Sequence, residues 1–302
     1  MRRAAFTLIE LIFVIVIMGL LANYGVELLS KAYKNFIFTK VNNSLQANSA
    51  MAVESIAARL QYRIKDSVIA RETDNNFSAL SGYTAGTAPI LEWVGYDIEG
   101  FRGNSSTMPN WSGIIDMDLS SSTALVSPAT NTAKIQTLIT ALSNGNSGIN
   151  DAALYFIGSD SDINNYGWNG VALTNQNTSV MHPINAVGGQ VTQFVSGIGS
   201  VDFSGADIYE YYQLAWTAYA VGISDYNAAT NTGTLMLYYD YQPWLGETYL
   251  LQNDGTATKS AILMDNVSTF RFMAAGSILK IEVCVKSDLL EEYSLCKEKT
   301  VF

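Results

Sequence analysis

Between Lys134 and Lys259 the chain carries no lysine or arginine, while residues 135–258 hold eight Asp and two Glu. That region therefore lacks the clustered cations that phosphate binding requires, and no nucleic acid contact is expected through it. A divalent cation or a basic protein surface suits such acidity, beside the ordinary alternative of a solvated acidic face. Histidine is nearly absent too, since His182, before Pro183 in a polar stretch, is the only one among 302 residues. One imidazole cannot build a histidine-rich metal site, and a surface position is expected for it. Walker, dinucleotide-binding and serine-elbow signatures are missing. Proline first occurs at Pro89, so no proline kink is available to a helix before it.

What the chain does have at its start is "AAFTLIELIFVIVIMGLLANYG", residues 4–25. From Phe6 to Leu29 is 24 residues, roughly 36 Å of helix against a hydrocarbon core of about 30 Å. The segment can span a bilayer. A cleaved secretory signal is the alternative, with Arg2 and Arg3 as its basic start, but its apolar region should be about 7–15 residues and end at a small-x-small site. Leu20, Leu21 and Ala22 make a poor site of that kind, and the pattern runs on past them. Glu10 is the anomaly. An ionised side chain at mid-bilayer costs about 2.5–3.5 kcal/mol on an insertion scale, less near an edge. No Lys, Arg or His lies between Phe6 and Val26, so a cationic partner is expected from outside the helix.

The run "AAFTLIELI" resembles the processing site of type IV prepilins and of the pseudopilins of type II secretion systems: a short basic leader, a small residue, then Phe, Thr, Leu, Ile, Glu and an apolar helix. The resemblance covers about the first 25 residues, and Ala5 stands where the family mostly has Gly. It implies a leader of residues 1–5, cut by a prepilin peptidase between Ala5 and Phe6, with methylation of the new Phe6 amine. It further implies that Glu10 pairs with the Phe6 amine of an adjoining subunit during filament assembly, returning the carboxylate's cost as register. Lys31, Lys34 and Lys40 balance Arg2 and Arg3 across the segment, so charge alone does not orient it. The resemblance places the leader in the cytoplasm, a single pass in the bacterial inner membrane and the C-terminal domain in the periplasm. Its implied partners are other pilin or pseudopilin subunits, the peptidase and an inner-membrane assembly platform.

Beyond the span, Val53, Ile56, Leu60, Ile64 and Val68 recur at helical spacing, so residues 30–72 are expected to form the amphipathic outer part of one long helix. The polar "VNNSLQANS", residues 41–49, is the expected place for a bend. From Thr73 short β-prone runs alternate with Asn, Gly and Ser, among them "ILEWVGYDI", "ALYFIGSD", "YQLAWTAYAVGI", "TLMLYYDYQ", "VSTFRFMA" and "ILKIEVCVK". "TAKIQTLITALSN" is the one convincing further helix, whereas "RGNSSTMPNWSG" and "NQNTSVMHPINAVGGQ" are expected as surface loops. The fold class is α+β, a long N-terminal helix packed on an antiparallel sheet, with a head over residues 73–302.

Near the C-terminus Leu279, Ile281, Val283 and Val285 alternate with Lys280, Glu282, Cys284 and Lys286, placing Cys284 on the wetter face of a strand. Cys296, the only other cysteine, lies as far beyond residue 290 as Cys284 lies before it, so a hairpin would bring the two together. In an oxidising compartment they would form a disulfide worth about 3 kcal/mol; two reduced thiols are the alternative. Strict register also opposes Glu282 to Glu298, which leaves room for a bulge. In "GSDSDINNYGWNG", Asp160, Asp162 and Asn164 alternate as in a calcium loop, although Asn165 and Val171 occupy the places of the EF-hand Gly and Glu. Calcium binding by some pseudopilins keeps that reading open beside a plain Asx-rich turn.

The 17 Tyr, 12 Phe and 5 Trp include the clusters "DIYEYYQLAW" and "LMLYYDYQPWLGETY". These are strands with a Tyr-bearing face, or an exposed face that grips a partner or a sugar. "DNVSTFRFMAAGSILKIEVCV" resembles the J-type minor pseudopilins and W-type minor pilins, which implies a minor, non-enzymatic filament subunit acting in assembly or at a tip. A major structural pilin and a membrane-tethered glycan-binding or hydrolytic domain are the competing readings.

Overall fold

The computed structural model describes residues 7–73, 76–83, 88–103, 108–159, 162–288 and 293–302. Helix α1 (Leu8–Leu60) is 53 residues long, about 80 Å at 1.5 Å per residue. Its N-terminal half stands clear of the rest of the chain. The first buried side chain is Val41, and from there Ser49, Ala52, Val53, Ile56, Ala57 and Leu60 turn one stripe inward. The helix runs through residues 41–49 without interruption. Weak intrinsic propensity there is overridden by packing, because Val41 and Leu45 are seated against the head and Ser49 is buried.

The outer helix ends at Leu60, not near residue 72. Ile64 and Val68 are buried as their spacing foretold, but the backbone that carries them has changed partners. Ile64 N–H donates to Val94 O at 2.9 Å, Arg63 bridges to Gly95, and Ser67 Oγ accepts from Val94 N–H at 2.9 Å. Sheet bonds thus replace the next helical turn. Gly95 is needed at this crossing, since a Cβ there would sit 2.7 Å from the Tyr219 ring.

Among the described residues twelve strands follow: β1 (Ile69–Thr73), β2 (Asn76–Ala79), β3 (Ile90–Tyr96), β4 (Leu125–Val126), β5 (Ala153–Phe156), β6 (Met181–Val187), β7 (Gln190–Ser196), β8 (Tyr212–Asn227), β9 (Thr232–Tyr241), β10 (Lys259–Ala275), β11 (Ile278–Lys286) and β12 (Ser294–Val301). Neighbours along the sheet run β12-β11-β10-β9-β8-β5-β6-β7-β4, with β3 joined to β8, β1 to β3 and β2 to β1. Each of these pairings is antiparallel. Among the described residues two further α-helices are α2 (Ile98–Arg102) and α3 (Thr132–Leu142), the second being the expected one.

The core falls into three clusters. Ala52, Val53, Ile56 and Leu60 of α1 pack on Leu91 and Trp93 of β3, Val221 of β8, Leu235 of β9 and the alternate residues Leu279, Ile281, Val283 and Val285 of β11. Ile135 and Ile139 of α3 cover Leu154, Phe156, Phe194, Tyr212 and Leu214. Trp168, Trp244, Tyr166 and Tyr241 form the third with Val94 and Ala218. The stretch 175–190, expected as a surface loop, instead contains β6, with Met181, His182, Pro183 and Ile184 buried. In "RGNSSTMPNWSG" residues 104–107 lie outside the described ones, and Trp111 is buried with its indole N–H donating to Asp97 Oδ2 at 3.1 Å.

Candidate functional site

At the start of α1, Thr7 and Glu10 form a capping box. Glu10 N–H donates to Thr7 Oγ1 at 3.4 Å, and Thr7 N–H donates back to Glu10 Oε2 at 3.0 Å, with the Thr7 hydroxyl on the same oxygen at 2.9 Å. These bonds satisfy orphan amides of the first turn. Thr-x-x-Glu is the sequence signature of such a cap, and Thr7 is the residue that sequence reasoning missed. Thr7 thus supplies Glu10 with hydrogen bonds from within its own helix terminus. Among the described residues the only ion pair on the N-terminal half of α1 joins Lys31 Nζ to Glu27 at 2.8 Å. Ala5 and Phe6 lie outside the described residues.

Around this carboxylate the helix is long and apolar enough to cross a membrane, and none of the most apolar 18-residue window is buried within the chain. From Leu8 to Lys40 every side chain is exposed except the half-buried Ile37. An apolar surface of that length does not persist in water, so lipid or other helices must cover it.

Where α1 meets the head, the C-terminal hairpin holds it. Cys284 and Cys296 face each other in the β11–β12 register and are joined by a disulfide, with Cα atoms 4.0 Å apart. No bulge intervenes, and Glu282 does oppose Glu298. Lys280 relieves the repulsion, its Nζ lying 2.6 Å from Glu298 Oε2. Both sulfurs are consumed by the bond, so the Glu282, Cys284 and Cys296 grouping offers no thiolate to a metal. On the other face of β12, Lys299 Nζ reaches Glu54 of α1 at 2.7 Å.

The calcium candidate is only partly within view, as Asp160 lies outside the described residues. Asp162 Oδ1 accepts from Asn164 N–H at 3.0 Å and from Asn164 Nδ2 at 2.9 Å, which is an Asx turn capping a short 3-10 helix. Asp162 Oδ1 and both Asn164 nitrogens are thus bonded to one another here.

His182 is not on the surface. It is 1 % exposed, its Nδ1 lies 3.0 Å from Gln176 Oε1, and burial pulls its pKa down to about 4. Asp97 is the opposite case: it caps α2 by accepting from Gly100 N–H at 3.1 Å, yet burial pushes its carboxyl up to about 6. A buried ion pair that the sequence did not reveal links Arg71 Nε to Glu92, with Tyr241 Oη donating to Glu92 Oε2 at 2.9 Å and Arg71 donating to Trp168 O at 2.9 Å. These groups are sealed inside the head and bind strands together.

No protein-family model matches the sequence, and no curated protein or solved structure matches it either.

Proposed function

We infer that the chain is a membrane-anchored subunit of a type IV pilus-like filament, of the minor pilin or minor pseudopilin kind, serving secretion, pilus biogenesis or DNA uptake. The observation that carries this reading is Glu10. It is an acidic group with no cation paired to it among the described residues, one turn into an exposed, bilayer-length apolar helix whose outer end is fastened to a head. A solitary anchor gains nothing from a carboxylate in lipid; a helix that docks beside a neighbour's ammonium does. In this reading residues 1–5 are removed, residues 6–29 span the inner membrane, the rest of α1 crosses into the periplasm and the head follows from residue 61. Removal of the leader leaves the Thr7–Glu10 cap intact, so the first turn is formed before assembly. The disulfide agrees with an oxidising compartment. The head of more than 200 residues suits a tip or priming subunit better than a densely repeated shaft.

The test is the mass of the mature chain purified from its own cell, together with its abundance in sheared filaments. The reading predicts loss of residues 1–5, a methylated Phe6 amine and a low ratio to the main filament protein. An intact N-terminus on a chain that functions in the membrane would overturn it.

A further inference from the structure

Three neighbouring segments of the head carry an outward row of apolar side chains. Ile114 bridges Tyr211 in antiparallel register, and Ile157 N–H donates to Tyr211 O at 2.9 Å, so Ile114, Tyr211 and Ile157 lie side by side. Their chain neighbours Ile115, Tyr212 and Phe156 point the other way and are buried, which fixes the row as the outer face. Tyr209 extends it, since its ring lies 3.8 Å from where a Cβ on Gly158 would be. The four are 40 %, 54 %, 52 % and 39 % exposed in the order Ile114, Tyr211, Ile157, Tyr209. The row lies outside the depressions of about 770, 610 and 740 Å³ elsewhere on the molecule.

The chain segments that carry the row bring carboxylates and no cation of their own. Glu210 separates the two tyrosines, Asp207 precedes them, and Asp116 and Asp118 follow Ile114 in a turn. Between Arg102 and Lys259 the chain supplies a single cation, Lys134. Among the described residues no ion pair uses Asp116, Asp118, Asp207 or Glu210. Apolar anchors exposed beside unpaired carboxylates are the inverse image of an interface in which a partner brings apolar or aromatic side chains flanked by lysine or arginine. A sugar would call for a concave site with polar groups converging on it, and these residues line none of the depressions named above. An anionic lipid surface would be repelled.

We propose that the Ile114–Tyr211–Ile157 face is a docking surface for a basic protein segment carrying aromatic or aliphatic side chains between its cations. The apolar row supplies contact area and the carboxylates supply steering and choice of partner. The surface is on the head and does not depend on how Glu10 is used.

The test is a titration of the full chain in neutral-detergent micelles, followed through the methyl resonances of Ile114, Ile157 and Met117. Three peptides of equal length serve as probes: alternating Lys–Phe, alternating Glu–Phe and alternating Lys–Ser. The proposal predicts saturable shifts with Lys–Phe alone, and at least tenfold weaker binding to the exposed-site variant Asp118→Lys/Glu210→Lys, whose melting temperature should match wild type. Equal binding of Glu–Phe or of Lys–Ser, no saturable shift, or an unchanged affinity in the variant would overturn it. So would a response of these methyls to soluble oligosaccharides but not to Lys–Phe, or cross-linking of Tyr211 to a second copy of the chain.

Discussion

Tyr293 Oη donates to Asn42 Oδ1 at 2.7 Å, and its ring meets Phe38 edge-on at a centroid distance of 5.2 Å. The residue that leads into the last strand is thereby fixed to the helix at the level where α1 first touches the head. The disulfide closes the hairpin in which Tyr293 sits.

Replacing both cysteines by serine should cost the full chain about 3 kcal/mol in urea denaturation, from the restored freedom of the 12-residue loop in the unfolded chain. The same loss should follow from adding reductant to wild type. Adding reductant to the double variant should change nothing; a further drop there would contradict the assignment.

Stability should depend on pH through two buried groups of opposite sense. His182 is held at about 4 against an ordinary 6.5 by burial, so between those values the unfolded chain takes up a proton that the folded chain refuses. Stability from this group is complete above about pH 6.5 and is lost as pH falls toward 4, by about 3 kcal/mol. Asp97, raised by burial from 3.8 to about 6, stays protonated in the fold where the unfolded carboxyl is ionised, so its effect declines as pH rises through that window. His182→Gln should therefore flatten the acid loss, and Asp97→Asn should steepen it. Denaturation of each variant at pH 4.5 and pH 7 checks this; parallel shifts with wild-type pH dependence would contradict it.

The Arg71–Glu92 pair should be costly to break and cheap to replace. Arg71→Met leaves a carboxylate at 0 % exposure without its cation and should destabilise by about 3–5 kcal/mol. Arg71→Met with Glu92→Gln keeps an acceptor for Tyr241 and should recover most of that loss. A double variant no more stable than Arg71→Met would show that the charges were not coupled.

What the sequence made legible follows from periodicity. The alternation in "ILKIEVCVK" and the symmetric spacing of two cysteines set the β11–β12 register, because a slip of one residue would expose every apolar side chain. The helical stripe correctly named Ile64 and Val68 as buried, but periodicity reports which side a residue faces and not whether its amide bonds to a helix or to β3. Strand β6 escaped because the polar stretch 175–190 shows no period. Pro183 within it brings no N–H to the ladder, while its carbonyl accepts from Gly197 N–H at 2.8 Å. The Arg71–Glu92 pair was likewise invisible, as two charges 21 residues apart look like solvated strand edges until β1 and β3 align. The Thr7–Glu10 cap, by contrast, was readable and went unread.

The central claim is that the charge of Glu10, and not its hydrogen bonds, admits the subunit to a filament. Glu10→Gln separates the two, since glutamine can still accept from Thr7 N–H while the charge is gone. The decisive measurement is the amount of Glu10→Gln protein in the sheared filament fraction against its amount in the membrane. The account predicts normal membrane insertion and leader removal with incorporation falling at least tenfold, as for Glu10→Val. Wild-type incorporation of Glu10→Gln would contradict it.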